Sequence, residues 1–299
     1  LFCDLDEAGK PIKGTGFDLR RCLIGDFYIT DYAQIEARGL VALVKDERIL
    51  PKLRAGMSIY QAHAEATTGQ TWKNLKKENF PLYQAKKMEV LLLGYQGGAT
   101  KLASAAYLMT RDSEDPAGVI RWSPEEAAEV VSGFRTDNPI VGFWGLLDRL
   151  VKAAAFRKDE CLKIRLPSGR FMRYWNPRVR TISVVVKDEN GNDKMIEKTA
   201  VFTQHAKGDP GSFRSAFGGN LTENVVSGMC RDVLRDGWIA LHRAGYAVAF
   251  TAHDEYVVDL KPGQKPEEVD RIVLEANNSS WAAFIPLALE GQRSSFYTK

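Results

Sequence analysis

Two aspartates more than two hundred residues apart, each tied to an apolar, strand-like run, constrain this chain more than any other feature. Asp31 closes the stretch Asp26–Thr30 (DFYIT), which alternates and is rich in aromatic and β-branched residues. Asp254 lies in His253-Asp254-Glu255, inside an apolar run from Tyr246 to Leu260. A fold that brings the two carboxylates together can hold divalent metal ions for phosphoryl transfer. Each also has a plainer reading. Asp31-x-x-Gln34 before an apolar helix has the form of a capping box. His253-Asp254-Glu255 could be an exposed polar turn, although Val257 and Val258 continue the strand beyond and place three polar residues in its middle. Between the two segments, Tyr83, Lys87, Leu91 and Tyr95 stand four apart, so on an α-helix they share one face. An ordinary amphipathic helix with an exposed lysine has the same pattern.

Composition narrows the class. With 299 residues and 44% hydrophobic content, the chain can bury a substantial core, divided most simply between two subdomains. A net charge of +3 permits a nucleic-acid partner without demanding one. Local clustering says more, since Lys73, Lys76, Lys77, Lys86 and Lys87 flank or enter one predicted helix. Cys3, Cys22, Cys161 and Cys230 show no zinc spacing and read as reduced thiols of a cytoplasmic protein. No apolar run approaches the length of a membrane span, and no signal-peptide pattern opens the chain. A start at Leu-Phe-Cys, without Met, reads as a fragment or an incomplete chain.

The strand ending at Asp31 leads into a predicted helix over Ala33–Lys45, and residues 46–157 read as mainly helical. Asn79 with Pro81 marks one helix start, with Met88–Leu93 inside that helix, and Ser123-Pro124-Glu125-Glu126 marks another. A further helix is expected over Val141–Phe156. Near Cys161 the pattern changes: Leu162–Leu166 and Phe171–Trp175 flank Pro-Ser-Gly, and Thr181–Val186 and Lys194–Phe202 flank Asn190-Gly191, two hairpin signals. A long helix over Thr222–Arg243 follows, then a strand from Tyr246 through His253-Asp254-Glu255 to Leu260.

The three segments DYAQIEAR, Lys87 with Tyr95 eight residues later, and His253-Asp254-Glu255 resemble, in this order, motifs A, B and C of the family A (bacterial DNA polymerase I-like) DNA polymerases. Leu166-Pro-Ser-Gly-Arg170 and Gly218-Gly-Asn-Leu-Thr-Glu-Asn224 are similar to segments of the phage-type subgroup, and the resemblance covers roughly residues 18–299. It implies an α+β, right-hand polymerase fold with an antiparallel-sheet palm and largely helical fingers. The palm would comprise 1–38 and 158–299, and the fingers 39–157. Asp31 and Asp254 would be metal ligands, with the Tyr32 carbonyl adding an oxygen, for two Mg²⁺ ions that Mn²⁺ could replace. Lys87 would neutralise the triphosphate and Gln34 would lie near it. Glu36 would be the steric gate against a ribose 2′-hydroxyl, and Tyr95 would stack near the templating base and hydrogen-bond Glu36. Tyr60, in Ser58-Ile-Tyr60, falls at a triphosphate contact. His253 would lie near the primer terminus and Glu255 at the edge of the metal site. Asn224 and Ser227, on the palm helix, would face primer–template DNA.

The chain also departs from the family pattern. Tyr83 stands where an arginine is expected, and Lys86 or an upstream lysine is the candidate to compensate. Leu91 replaces an aromatic residue of bacterial members, Gln96 a glycine, and Ser227 a glutamine. A thumb and an exonuclease domain are missing from the resemblance, as is the palm strand that carries a minor-groove arginine, so another chain or a missing segment would supply them. The implied activity is template-directed addition of a dNTP to a primer 3′-hydroxyl. The alternatives are a single-subunit RNA polymerase, against which Glu36 argues, and a non-catalytic nucleic-acid-binding or assembly subunit. His-Asp also occurs in metal phosphohydrolases, but His63, His205 and His242 lack ligand-like spacing.

Overall fold

In the computed structural model, residues 19–113, 115–136, 138–187, 192–204 and 211–298 are described. The order begins with strand β1 (Ile24–Tyr32) and helices α1 (Ile35–Val44), α2 (Leu50–Arg54), α3 (Ile59–Thr68), α4 (Leu75–Glu78) and α5 (Phe80–Met88). A π-helical turn (Glu89–Leu93) follows, then α6 (Ala99–Thr110), α7 (Pro124–Arg135) and α8 (Pro139–Arg157). Next come β2 (Cys161–Arg165), β3 (Phe171–Lys187), β4 (Asp193–Gln204), β5 (Phe213–Ser215) and the long helix α9 (Gly218–Arg243). Strands β6 (Ala247–Ala252) and β7 (Glu255–Asp259), helix α10 (Pro266–Asn278) and β8 (Leu289–Phe296) complete it.

The chain divides into two compact units, one formed by residues up to Ile35 and from Cys230 onward, the other by Glu36–Met229. In the first unit an antiparallel sheet has the order β6-β7-β1-β8, so the late strands enclose the early one. Alternation along β1 puts Phe27 and Ile29 on one face, packed with Val257 and Tyr297. Tyr28, Thr30 and Tyr32 lie on the other, where Tyr28 and Thr30 both donate to Asp270 of α10 (2.6 and 2.9 Å). Val269 and Val273 of α10 are fully buried.

In the second unit helices precede a sheet of order β2-β3-β4-β5. Leu162, Tyr174 and Val201 from its inner face join Leu147, Val151 and Ala154 of α8 in one core. The helix starts follow their sequence signals. Asn79 accepts from the Leu82 N–H, and Ser123 with Glu126 forms the full capping box. Both hairpin strand pairs form, in register Arg165↔Phe171 and Lys187↔Asp193, while the Asn190-Gly191 turn lies outside the described residues, as do Cys3 and His205.

One alternative reading falls away and two expectations are corrected. Asp31 is not a helix cap: β1 runs through Asp31 to Tyr32, the chain turns at Ala33-Gln34, and α1 begins only at Ile35. Pairing on both sides carries β1 through Asp31 to Tyr32, so Gln34, and not Asp31, stands directly before α1. His253 and Asp254 are not in mid-strand but form the two-residue turn joining β6 to β7, with Ala252 paired to Glu255 and His253 at φ 54°. The stripe 83-87-91-95 does not share one helix face throughout. The α-helix stops at Met88, and the wider π turn over Glu89–Leu93 shifts the register of everything beyond Lys87.

Glycines in α8 and α9 give opposite expectations. A Cβ on Gly237 would lie 2.2 Å from the Tyr256 hydroxyl and 3.0 Å from Val273, whereas one on Gly142 meets nothing within 4 Å. Gly142→Ala should therefore stabilise the chain by about 0.5–1 kcal/mol through helix propensity. Gly237→Ala should destabilise it by roughly 1–3 kcal/mol through overpacking. Urea unfolding of the two variants checks this, and shifts of the same sign would contradict the packing of α9 on Tyr256.

Candidate active site

The residues singled out by the motifs divide between the two units, and each group is built by its own local structure. In the first unit, β1 and β7 lie antiparallel with Asp31 opposite Glu255, and the Tyr32 N–H donates to the Asp254 carbonyl at 3.2 Å. Asp31 and Asp254 therefore sit on adjoining backbones, both half-buried, although 223 positions separate them in sequence (254 − 31). On its other side Asp31 is paired with Glu290 of β8, so Glu255, Asp31 and Glu290 form one row on the same face of the sheet. Like charges directly opposite one another destabilise a sheet, and positive counter-charge would relieve this row. Glu255 is buried and accepts from the Tyr297 hydroxyl at 2.9 Å, which ties it to the sheet. Among the described residues no group of three or more His, Cys, Asp or Glu is arranged to hold a metal ion. The donor set is thus two aspartates with main-chain oxygen nearby. Hard oxygen ligands of this kind suit magnesium, which keeps several of its waters and binds through one or two carboxylates. His253 at the turn is exposed.

Beneath the carboxylates runs a buried chain of hydroxyls. Asn277 of α10 donates to the Tyr32 hydroxyl (2.7 Å), which lies 3.0 Å from the Tyr256 hydroxyl, and Tyr256 donates to the Leu234 carbonyl of α9 (2.8 Å). With Tyr256 committed as a donor to Leu234, Tyr32 donates to Tyr256. All three side chains are at most 1% exposed. Burial raises both phenols above their ordinary range, so they stay neutral donors. The tyrosines lie one residue after Asp31 and two after Asp254, which anchors both backbones.

In the second unit, Glu36 is exposed in the first turn of α1, where a carboxylate favours the helix dipole, and Gln34 precedes it at φ 54°. Ala37 and Leu40 of α1 line a small cavity together with Tyr95 and His63, which brings the Tyr95 segment beside the helix that carries Glu36. Lys86 and Lys87 have different surroundings. Lys86 donates to both oxygens of Glu89 (2.8 and 2.9 Å), and Glu89 also pairs with buried His63 at 2.8 Å. Burial alone would raise the Glu89 carboxyl, but hydrogen bonds and charge from His63 and Lys86 outweigh it and hold the group below its ordinary value. Lys87 is half-buried and, among the described residues, forms no ion pair. Lys86 is thus committed to its own helix, and Lys87 is the cation with charge to offer.

Tyr60, at the start of α3 behind the Ser58 cap, is buried edge-on against Tyr83 at 5.5 Å, and burial followed by Tyr83 pushes its phenol up to about 12. Tyr83, in the place of the expected arginine, fills an aromatic contact with Phe80 and Tyr60. Leu91 is exposed. Gln96 adopts φ 66°, the left-handed region that a glycine would take without cost, and its side chain accepts from the Gly219 N–H at the start of α9 (2.9 Å). The Tyr95 turn is further held by Trp144 to the Gly94 carbonyl and Arg135 to the Gly97 carbonyl, both 3.0 Å. Asn224 and Ser227 are exposed on α9. Glu290, Tyr297, the tyrosine–asparagine chain and the His63–Glu89 pair carried no motif signal, because register and burial alone bring them together.

The chain resembles known proteins both in sequence and in fold. The chain is 28% identical to the DNA polymerase of Bacillus phage SP02 over 99% of its own length, and spans about half (48%) of that relative. Among solved structures, the POL domain of Pol1 from M. smegmatis, in complex with DNA primer-template and dNTP, matches with a TM-score of 0.59 at 18% identity. That match covers 96% of this chain and 43% of the other. No protein-family model matches the chain. The two likenesses support the resemblance to family A DNA polymerases read from the motifs. The mixed helical and antiparallel fold is similar to that of this POL domain and consistent with an α+β polymerase fold. No helix among the described residues is long and apolar enough to cross a membrane.

Glu89→Gln keeps the shape of the buried triad and removes its charge. Breaking a buried pair in this way should cost about 3 kcal/mol near neutral pH. Because the folded carboxyl is held below its unfolded value, the wild-type advantage exists above that unfolded value and is lost as pH falls through the folded one. Urea melts of both proteins across the acid range should converge as pH falls, and a gap constant with pH would contradict the charged pairing.

Proposed function

We propose that this chain carries the palm and fingers of a template-directed DNA polymerase, joining a dNTP to a primer 3′-hydroxyl. The observation that carries the reading is the adjoining placement of Asp31 and Asp254, locked by the Tyr32–Asp254 backbone hydrogen bond and backed by an acidic row. Asp31 and Asp254, with the Tyr32 carbonyl, would hold magnesium. When bound, it supplies Lewis-acid stabilisation of the attacking and leaving oxygens.

The remaining work falls to the side chains. The primer 3′-oxygen attacks the α-phosphorus in line, the bond to the β-phosphate oxygen breaks, and pyrophosphate leaves while the hydroxyl proton passes to solvent. Lys87 neutralises the negative charge that moves onto pyrophosphate, and its lack of an ion-pair partner among the described residues supports that role. Gln34 contacts the triphosphate. Glu36 excludes a 2′-hydroxyl by clash and by leaving it unpaired, and Tyr95 stacks near the template base. The exposed Asn224 and Ser227 of α9, with His253 at the hairpin turn, face primer–template DNA. The solved likeness was captured with DNA primer-template and dNTP, which supports these partners. The phage relative is a DNA polymerase, which does not favour the non-catalytic alternative.

Asp254→Ala should abolish nucleotide incorporation and leave primer–template binding largely intact. Gel extension assays with parallel binding titrations test it, and equal incorporation by the variant would defeat the metal assignment. Glu36→Ala should admit ribonucleotides, lowering the dNTP/rNTP preference by about tenfold or more, the effect of removing one steric and polar barrier. An unchanged preference in competition assays removes its gate role.

A further inference from the structure

We propose that the outer face of the β2–β5 sheet is a binding surface for an extended single strand of DNA. The two strands β2 and β3 carry six basic residues (Lys163, Arg165, Arg173, Arg178, Arg180, Lys187) and no acidic residue. Their charge alone exceeds the +3 of the whole chain. The pairing decides which of these share a face. Leu162 and Tyr174 are opposite one another and buried in the core of the second unit, so Lys163↔Arg173 and Arg165↔Phe171, one residue out of phase, lie on the opposite face. Lys163, Arg165, Phe171 and Arg173 are all exposed. A one-residue bulge between Trp175 and Arg178 shifts the phase of β3, which returns Arg178 and Arg180 to this same outer face. The Arg180 guanidinium there lies over the rings of Phe213 (4.1 Å) and Phe202 (5.6 Å).

Two features of this face have no structural purpose in the sheet itself. Lys163 directly opposite Arg173 is a repulsive cross-strand pair, and among the described residues neither they nor Arg165, Arg178 and Arg180 form an ion pair. Phe171 is 44% exposed beside Arg165 and Arg173 where a polar residue would serve the sheet as well. Cations spaced along strands with an aromatic face between them match a phosphate backbone with unstacked bases. A duplex would satisfy the cations but hide its bases from Phe171, so the arrangement favours a single strand. Naming that strand as the unpaired template rests on the polymerase reading, whereas the surface itself does not.

The test is fluorescence anisotropy of a labelled oligothymidylate titrated with the whole chain in excess chelator and without nucleotide, so a protein that extends no primer can still bind. Wild type should bind the oligonucleotide, and the alanine changes below should weaken that binding more than they weaken binding of a blunt duplex. Lys163→Ala with Arg173→Ala should weaken binding about tenfold or more and lower the salt-dependence slope by about 0.7 for each phosphate no longer neutralised. Phe171→Ala should weaken it about fivefold or more with the slope unchanged, since stacking releases no counterions. Arg173→Lys, which keeps the charge, should retain the wild-type slope and guards against a folding defect. Unchanged binding in the alanine variants, equal weakening of oligonucleotide and duplex binding, or equal competition by polyglutamate would each overturn the proposal.

Discussion

The buried chain from Asn277 through Tyr32 and Tyr256 to the Leu234 carbonyl is the constraint on which the candidate site depends. Each hydroxyl is out of water and must be paired, so the pairing fixes the distance between two strands and their distance from α9 and α10. Strand geometry does the rest. Because side chains alternate, committing Tyr32 to the helix side commits Asp31 to the opposite face, and committing Tyr256 does the same for Glu255. Apolar packing of Phe27, Ile29, Val257 and Tyr297 covers that face up to the carboxylate row and stops there. The acidic row is thus a local cost in repulsion, held in place by the buried hydroxyl chain one layer below.

The second unit solves a related problem with cations. Two adjacent lysines could both be drawn into structure, yet Glu89 takes Lys86 and, with His63, leaves its neighbour unpaired by any carboxylate among the described residues. The π turn beginning at Glu89 then re-aims the chain, so Tyr95 emerges at a turn pinned by Trp144, Arg135 and the Gln96–Gly219 bond. Gln96 in place of glycine is explained by that bond: the left-handed backbone costs a non-glycine residue roughly 1 kcal/mol, and a side-chain hydrogen bond of similar size offsets it. Tyr83 in place of arginine has become part of an aromatic cluster with Tyr60 and Phe80.

Much of this was legible in the residues. DFYIT gave the strand that delivers Asp31, Ser123-Pro-Glu-Glu126 gave a complete capping box, and Pro-Ser-Gly gave a hairpin. These are local signals, set by backbone sterics and nearby hydrogen bonds. The misread features depend on distant partners. The cap alternative for Asp31 stayed open on local grounds because the sequence does not reveal that β7 and β8 flank it on both sides. His253-Asp254 looked like mid-strand because apolar residues on both sides hide a two-residue turn that lacks glycine. Glu290, Tyr297 and Asn277 had no signal at all, since their importance comes from which strand or helix they meet.

The central claim is that the carboxylates of Asp31 and Asp254, brought together by strand pairing, serve metal-dependent nucleotidyl transfer. Its most direct measurement is extension of a primed template by this chain in rapid-quench assays over a magnesium titration. The account predicts addition of the nucleotide complementary to the template base, at a rate that rises with magnesium, saturates, and vanishes in chelator. A chain that binds the primed template and dNTP but extends nothing at any magnesium concentration would contradict it.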